Sequence, residues 1–243
     1  MDGLDAGLAG LRVLVTGARG AIGSTVVEAL ESSGSRVIGS DLTGADAGGF
    51  LNADLTEPGE PARLARLAAT ELGGLDAVVN AAGLLLRRPS VAAVSEEDWD
   101  LQHDVNLKAT FLLFREAAFV MQQLGSGGRL VALSSQGWWS GGYGGSVVYA
   151  ASKAGVVALC RGMAREYGPS GITVNAVVPG AIDTPMLRDD LPDDDLEAIV
   201  ASTPARRLGT PGDVAGAVLY LVSGRAAFVT GTTINVSGGW LVY

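Results

Sequence analysis

The chain alternates short, near-continuously apolar runs with longer segments of helical periodicity, and this alternation restricts its fold more than any other feature. Leu11–Thr16, Arg36–Asp41, Asp76–Asn80, Arg129–Ser134, Ile172–Val178 and Thr232–Val236 read as strands. Strands so uniformly apolar are covered on both faces, as in parallel sheets. Ile22–Ser33, Pro61–Leu72, Glu96–Leu124, Tyr149–Tyr167 and Pro211–Val222 read as helices, the last with Pro211 in its first turn and Thr210 as its N-cap. Repeated β-α-β units predict an α/β fold, a doubly wound parallel sheet of Rossmann type with about seven strands and helices on both faces.

No linker divides the 243 residues, so one domain over residues 1–243 is expected, with residues 1–10 a flexible lead-in. Gly137–Gly145 reads as a glycine-rich loop. The irregular segment Asp183–Arg207 carries Asp189-Asp190 and Asp193-Asp194-Asp195 and reads either as a solvated surface loop or as a substrate-side lid.

Composition removes several classes of function. Cys160 is the only cysteine and His103 the only histidine, which argues against disulfides, metal cages and histidine relays; no metal is expected. The net charge is −9 and no basic block is present, so nucleic acid is excluded as a partner. The start, Met1 to Gly7, is acidic and small, unlike a targeting peptide. No uninterrupted apolar run approaches the ~20 residues of a membrane span. A cytoplasmic protein without membrane contact is the expectation.

The first strand runs into Thr16-Gly17-Ala18-Arg19-Gly20-Ala21-Ile22-Gly23 and then a helix. Glycines there permit a tight turn and close approach of the backbone to a pyrophosphate, and the helix N-terminus supplies free N–H groups. Asp41 ends the second strand, where a carboxylate accepts from adenosine ribose hydroxyls and repels a 2′-phosphate, favouring NAD over NADP. Arg19 points the other way, because its guanidinium can approach a 2′-phosphate.

Tyr149 and Lys153 stand four apart on one helix face. A fixed ammonium and a cationic nicotinamide ring both favour the phenolate, so a lowered Tyr149 pKa is expected. Of the 17 basic residues, Lys108 and Lys153 alone are lysines, so a lysine here marks a chemical requirement that arginine does not meet. Ser134 and Ser135 end a predicted parallel strand, where a hydroxyl can hydrogen-bond a reacting oxygen or simply form a turn. The following loop carries Trp138, Trp139 and Tyr143, read either as an apolar wall for a bulky or cyclic substrate or as packing.

These residues resemble the short-chain dehydrogenase/reductase family in its compact single-domain form, from Leu11 to Gly239. The carriers are Tyr149-Ala150-Ala151-Ser152-Lys153-Ala154-Gly155, Asn80-Ala81-Ala82-Gly83, Asn175 to Gly180 followed by Thr184, and Val236-Ser237-Gly238-Gly239. Ala21 stands where the family's middle glycine is usual, Ala81 where it has a second asparagine, and Ser237 where it has an aspartate. The resemblance implies that Ser135 aligns the substrate oxygen, Tyr149 exchanges its proton and Lys153 binds the nicotinamide ribose. Asn106 would hold a water that relays protons, Asp54-Leu55 would contact the adenine, and Ile182 would meet the carboxamide beside Pro179 and Gly180. It also implies a homotetramer built through Glu96–Leu124 and Tyr149–Tyr167.

The expected activity is hydride transfer between NAD(H) and a secondary alcohol or ketone. The alternatives are an NADPH-dependent 3-oxoacyl-thioester (acyl carrier protein) reductase and a non-catalytic dinucleotide-binding sensor. A sugar-nucleotide epimerase or dehydratase is disfavoured for want of a separate substrate domain.

Overall fold

The computed structural model describes residues 7–44, 48–189 and 191–242. Its sheet is built from β1 (Arg12–Thr16), β2 (Arg36–Asp41), β3 (Phe50–Asn52), β4 (Ala77–Asn80), β5 (Gly128–Leu133), β6 (Ile172–Pro179) and β7 (Thr233–Val236). All pairings are parallel, in the order β3-β2-β1-β4-β5-β6-β7, with Val15 opposite Gly39 on one side and Val79 on the other. The helices are α1 (Ala21–Ser32), α2 (Glu60–Leu72), α3 (Glu96–His103), α4 (Ala109–Leu124), α5 (Gly137–Ser140), α6 (Val147–Tyr167), α7 (Pro185–Arg188), α8 (Asp193–Ser202) and α9 (Pro211–Val222).

Successive strand side chains point to opposite faces, and each face has its own core. Leu14, Leu130 and Val174 pack with Leu64 of α2, Phe114 of α4 and Val156 of α6. Val13, Val15, Val131 and Val177 pack with Val26 of α1 and Val218 of α9. The doubly wound fold is therefore as the sequence predicts.

Four local readings are corrected. β3 went unread, because three residues with only Leu51 buried carry no periodicity. The single helix expected over Glu96–Leu124 is split by a π-helical turn, Asp104–Lys108, where the Ala109 N–H reaches Asp104. The segment read as irregular, 183–207, holds α7 and α8; acidic residues such as Asp194 and Asp195 suit the first turn of a helix, facing the positive end of its dipole. Asp190 lies outside the described residues. The glycine-rich loop begins with the single turn of α5.

At the N-terminus, residues 1–6 of the expected lead-in lie outside the described residues. Leu8, by contrast, is buried and its carbonyl accepts from the Ser35 hydroxyl at 2.8 Å. Among the described residues, one helix, Val147–Ser170, is long and apolar enough to cross a membrane by length and composition. Its apolar face is Val156, Val157, Cys160 and Met163, buried against the sheet, which accounts for the composition without a bilayer.

Candidate active site

Because every strand runs the same way, the strand ends that precede Gly17, Asp54, Ala81, Ser134 and Gly180 all open on one edge of the sheet, together with Asp41. The sheet order reverses between β1 and β4, and ligands of open α/β sheets bind in the crevice beyond such a reversal.

On the β1 side, the turn into α1 is built for close approach. Gly17 has φ +67°, and a Cβ there would lie 2.5 Å from the Ala82 nitrogen. A Cβ on Gly23 would lie 2.0 Å from the Gly17 oxygen, so helix and turn touch through bare backbone. Gly20 is the N-cap of α1 and offers no side-chain cap, leaving the N–H groups of the first turn, around Ala21 and Ile22, to meet an anion. Asp41 spans the turn: its carboxylate accepts from the Arg19 N–H at 2.9 Å and the Leu42 N–H at 2.8 Å. The Arg19 guanidinium stacks on Phe50, 4.6 Å from the ring centroid. Asp54 accepts from the Thr56 N–H and hydroxyl, and Leu55 packs against the core. A dinucleotide fits this donor set: bare glycine backbone, an uncapped helix N-terminus and a carboxylate beside them.

β4 is tied to β1 by Asn80, whose Oδ1 accepts from the Thr16 hydroxyl at 2.5 Å while its Nδ2 donates to Thr110 at 2.7 Å. Ala81 makes no such side-chain bond, but its N–H reaches the Thr16 carbonyl at 3.1 Å.

A cavity of about 520 Å³ follows, lined by Ile22, Ala81 and Gly83 at one end and by Pro179, Gly180, Ile182 and Thr184 on a flank. Ser135, Tyr149 and Lys153 line it as well. The two strand-end serines separate here. Ser134 is buried and its hydroxyl donates to the Lys153 carbonyl at 2.9 Å, a packing role. Ser135 Oγ accepts from the Gly137 N–H at 3.2 Å, and its hydroxyl pulls the Tyr149 pKa down.

The Tyr149 pKa departs from expectation. Burial pushes the phenol up to about 12, against the opposing pull of the Ser135 hydrogen bond and the Arg87 charge. Burial likewise pushes the Lys153 ammonium down to about 8. Its Nζ donates to the Leu133 carbonyl at 2.9 Å and lies 5.6 Å from the Tyr149 ring centroid. Desolvation outweighs the Ser135 hydroxyl and the Arg87 charge, so the pair rests as a neutral phenol beside a weakened ammonium.

Asn106 sits in the π-helical turn, fully buried. Its Oδ1 accepts from the Leu84 N–H at 2.8 Å, and its Nδ2 donates to the Leu84 carbonyl at 2.9 Å and the Ser152 hydroxyl at 3.0 Å. A Cβ on Gly83 would lie 3.2 Å from Lys153 Nζ and 3.4 Å from Asn106 Oδ1, so these two polar atoms flank one bare glycine.

Neither Trp138 nor Trp139 lines the cavity, whereas Trp240 does. Trp138 packs against the core with Arg161 over its ring at 5.5 Å, as the packing reading has it; Trp139 is exposed, and Tyr143 lines the cavity. Arg87 and Gln136 are among the lining residues that escaped the sequence reading. Arg87 donates to the Tyr143 and Gly144 carbonyls at 2.8 and 3.1 Å. Gln136 directly follows Ser135, and its place at a strand end is the signal that could have found it.

Residues 17–241 match a family model described as enoyl-(acyl carrier protein) reductase. The chain is 36% identical to the 3-oxoacyl-(acyl-carrier-protein) reductase of Escherichia coli over 93% of this chain and 95% of that one. It is 36% identical to the short-chain dehydrogenase/reductase eriH of Hericium erinaceus, over 94% and 96%. Among solved structures, the aldohexose dehydrogenase of Thermoplasma acidophilum superposes with a TM-score of 0.87 at 28% identity, covering 96% of this chain and 94% of that one.

Proposed function

The chain belongs to the short-chain dehydrogenase/reductase family of NAD(P)-dependent oxidoreductases, and from that premise we propose that it transfers a hydride between NAD(H) and a secondary alcohol or ketone. The observation that carries this reading is the cavity that Ser135, Tyr149 and Lys153 line together with Pro179, Gly180 and Ile182.

Bound NAD(H) supplies the hydride donor or acceptor. The chain's own residues do the rest. Gly17, Arg19, Gly20, Ala21, Ile22 and Gly23 receive the pyrophosphate at the helix N-terminus. Asp41 takes the ribose hydroxyls, and Asp54, Leu55 and Asn80 to Gly83 flank the nucleoside. Pro179, Gly180, Ile182 and Thr184 orient the carboxamide. Ser135 holds the reacting oxygen, and Tyr149, a neutral phenol at rest, gives its proton to a carbonyl or, as phenolate, removes one from an alcohol. Lys153 binds the ribose and stabilises the phenolate, and Asn106 anchors the proton path from Lys153 outward. A cytoplasmic setting and assembly as a homotetramer complete the reading.

A second reading, an NADPH-dependent 3-oxoacyl-thioester reductase, is favoured by the Escherichia coli relative and by Arg19, which lies beside the turn where a 2′-phosphate would sit. One experiment decides between them: a panel of alcohols, ketones and 3-oxoacyl thioesters assayed with NADH and NADPH by absorbance. Turnover of simple carbonyls with NADH supports the first reading. Activity confined to NADPH and thioesters overturns it, and no turnover with any pair overturns both.

A further inference from the structure

The turn that follows β7 supplies a wall of the cavity. Trp240 lines it, beside Ala198, Ile199 and Ser202 of α8 and Met186 and Leu187 of α7. This turn is held from both sides. Gly238 and Gly239 take φ +62° and +87°; a Cβ on the first would lie 3.0 Å from Thr203 and Ala205 side-chain atoms, and on the second 3.0 Å from Pro204. The Ala205 N–H donates to the Gly238 carbonyl at 3.0 Å, and the Trp240 N–H to the Ser237 carbonyl at 3.2 Å. Ser237 Oγ accepts from the Leu241 N–H at 3.1 Å, and the Leu241 carbonyl accepts from Asn235 Nδ2 at 2.5 Å. Leu241 is buried, whereas Trp240 stays half-buried. The leucine packs the turn down, and the indole is left at the cavity. Ser202 brings the one hydroxyl of the α8 stretch, and it donates to the Ile199 carbonyl at 2.9 Å.

We propose that Trp240 is a specificity-determining residue whose indole stacks on an aromatic ring of the substrate, so that the preferred substrates are aryl-substituted secondary alcohols and the corresponding ketones. The inference rests on the hydride-transfer reading above and names the group that lies beyond the reacting carbon. Burial against Leu187 or Ile199 serves an alkyl group and a ring alike. An indole separates the two, because its π face gains offset-stacked or edge-to-face contact with another ring, beyond what buried area supplies. Met186, 45% exposed in the same wall, suits a ring as well: a thioether makes favourable contacts with aromatic edges and adapts its shape. The anchored backbone matters here, since an indole already held in place loses little freedom when a ring arrives. In the oxidation, the carbinol C–H bond breaks and its hydride passes to NAD⁺, the hydroxyl proton passes to the Tyr149 phenolate, and the C=O bond forms. The products are the aryl ketone, NADH and one proton, and the ring is unchanged.

The test uses pairs matched in carbon skeleton: acetophenone against cyclohexyl methyl ketone, and 4-phenylbutan-2-one against 4-cyclohexylbutan-2-one. Binding of each ketone to the enzyme–NAD⁺ complex, which has no hydride to give, is measured by calorimetry, and kcat/KM for the corresponding alcohols by absorbance. Wild type is expected to bind the aryl member of at least one pair roughly three- to tenfold more tightly. Trp240→Leu should bring that ratio to about one and Trp240→Phe should keep it, with NADH affinity unchanged in both. The aryl-to-cyclohexyl ratio of kcat/KM should fall by the same factor from wild type to Trp240→Leu, a comparison in which the intrinsic reactivity of each alcohol cancels. Equal affinity within both pairs, or no binding of either ketone, overturns the inference even where a variant fails to fold, while turnover of the alcohols leaves hydride transfer intact. An aryl preference that survives Trp240→Leu also overturns it, as does weakened NADH binding in that variant, which assigns the indole to the cofactor. An aryl preference lost in Trp240→Leu, without turnover by either protein, supports the ring site and overturns hydride transfer.

Discussion

Tyr149 and Lys153 oppose stability and chemistry to each other. Both lose solvation in the cavity, and both are pushed toward their neutral forms, the phenol to about 12 and the ammonium to about 8. Tyr149→Phe keeps the ring and its packing but removes the transferable proton. Turnover should fall roughly hundred- to ten-thousandfold while NADH binding is retained, as fluorescence titration against steady-state rates would show. A variant that still turns over would assign the proton elsewhere. Lys153 has a stability signature as well. Its folded-state pKa lies below its ordinary value of 10.5, so between about pH 8 and about pH 10.5 the unfolded chain holds a proton the folded chain has lost. Stability from this group is present above that window and is lost as pH falls through about 8. Lys153→Met abolishes the slope along with turnover. Relative to wild type, its Tm should be more favourable at about pH 7 than at about pH 10, and a pH-independent difference would contradict the depressed ammonium.

At the scale of elements, the π-helical turn is what presents Asn106. A helix that stayed regular from Glu96 to Leu124 would carry one residue fewer through that bend, and Asn106 would leave the junction of Leu84 and Ser152. Asn106→Leu fills the same volume but strands the Leu84 N–H and carbonyl. Denaturant unfolding should record a loss of about 2–4 kcal/mol together with lower activity; unchanged stability would show that the bonds are dispensable. This turn was illegible in the sequence because hydrophobic periodicity barely registers one inserted residue within a 29-residue run. β3 was illegible for the opposite reason, too short to have a period. The strands around Val13–Val15 and Val174–Val178 were plain, since burial on both faces admits little but apolar residues. In the site, Tyr149, Lys153 and the glycine turn were readable because their chemistry restricts residue type. Gln136 and Arg87 were not, because a glutamine or an arginine is compatible with any surface loop and only the fold brings them to the cavity. The aspartates at 193–195 looked like an interruption because charge alone does not separate a solvated loop from a helix start.

Over the whole molecule, the proposed tetramer accounts for apolar surface that the fold itself leaves open. Phe111 is 40% and Phe119 54% exposed on α4, with Trp99 and Leu101 exposed on α3. A second copy of the chain is the occupant proposed for this face, with α4 meeting its counterpart. Phe119→Asp should lower the mass measured by light scattering while leaving the far-ultraviolet dichroism of the fold intact, and an unchanged mass would place the contact elsewhere. The strand order carries a different consequence, one that concerns the birth of the chain. β1 borders β2, which follows closely, and β4, which does not: Arg12 and the Asp76 carboxylate that clasps it are 64 positions apart. On the ribosome, the apolar edge of Val13 to Val15 stands bare on that side until Asp76 has emerged. During that interval the nascent protein is sticky along the strand that later anchors its nucleotide turn, and synthesis paused there invites pairing with the wrong neighbour.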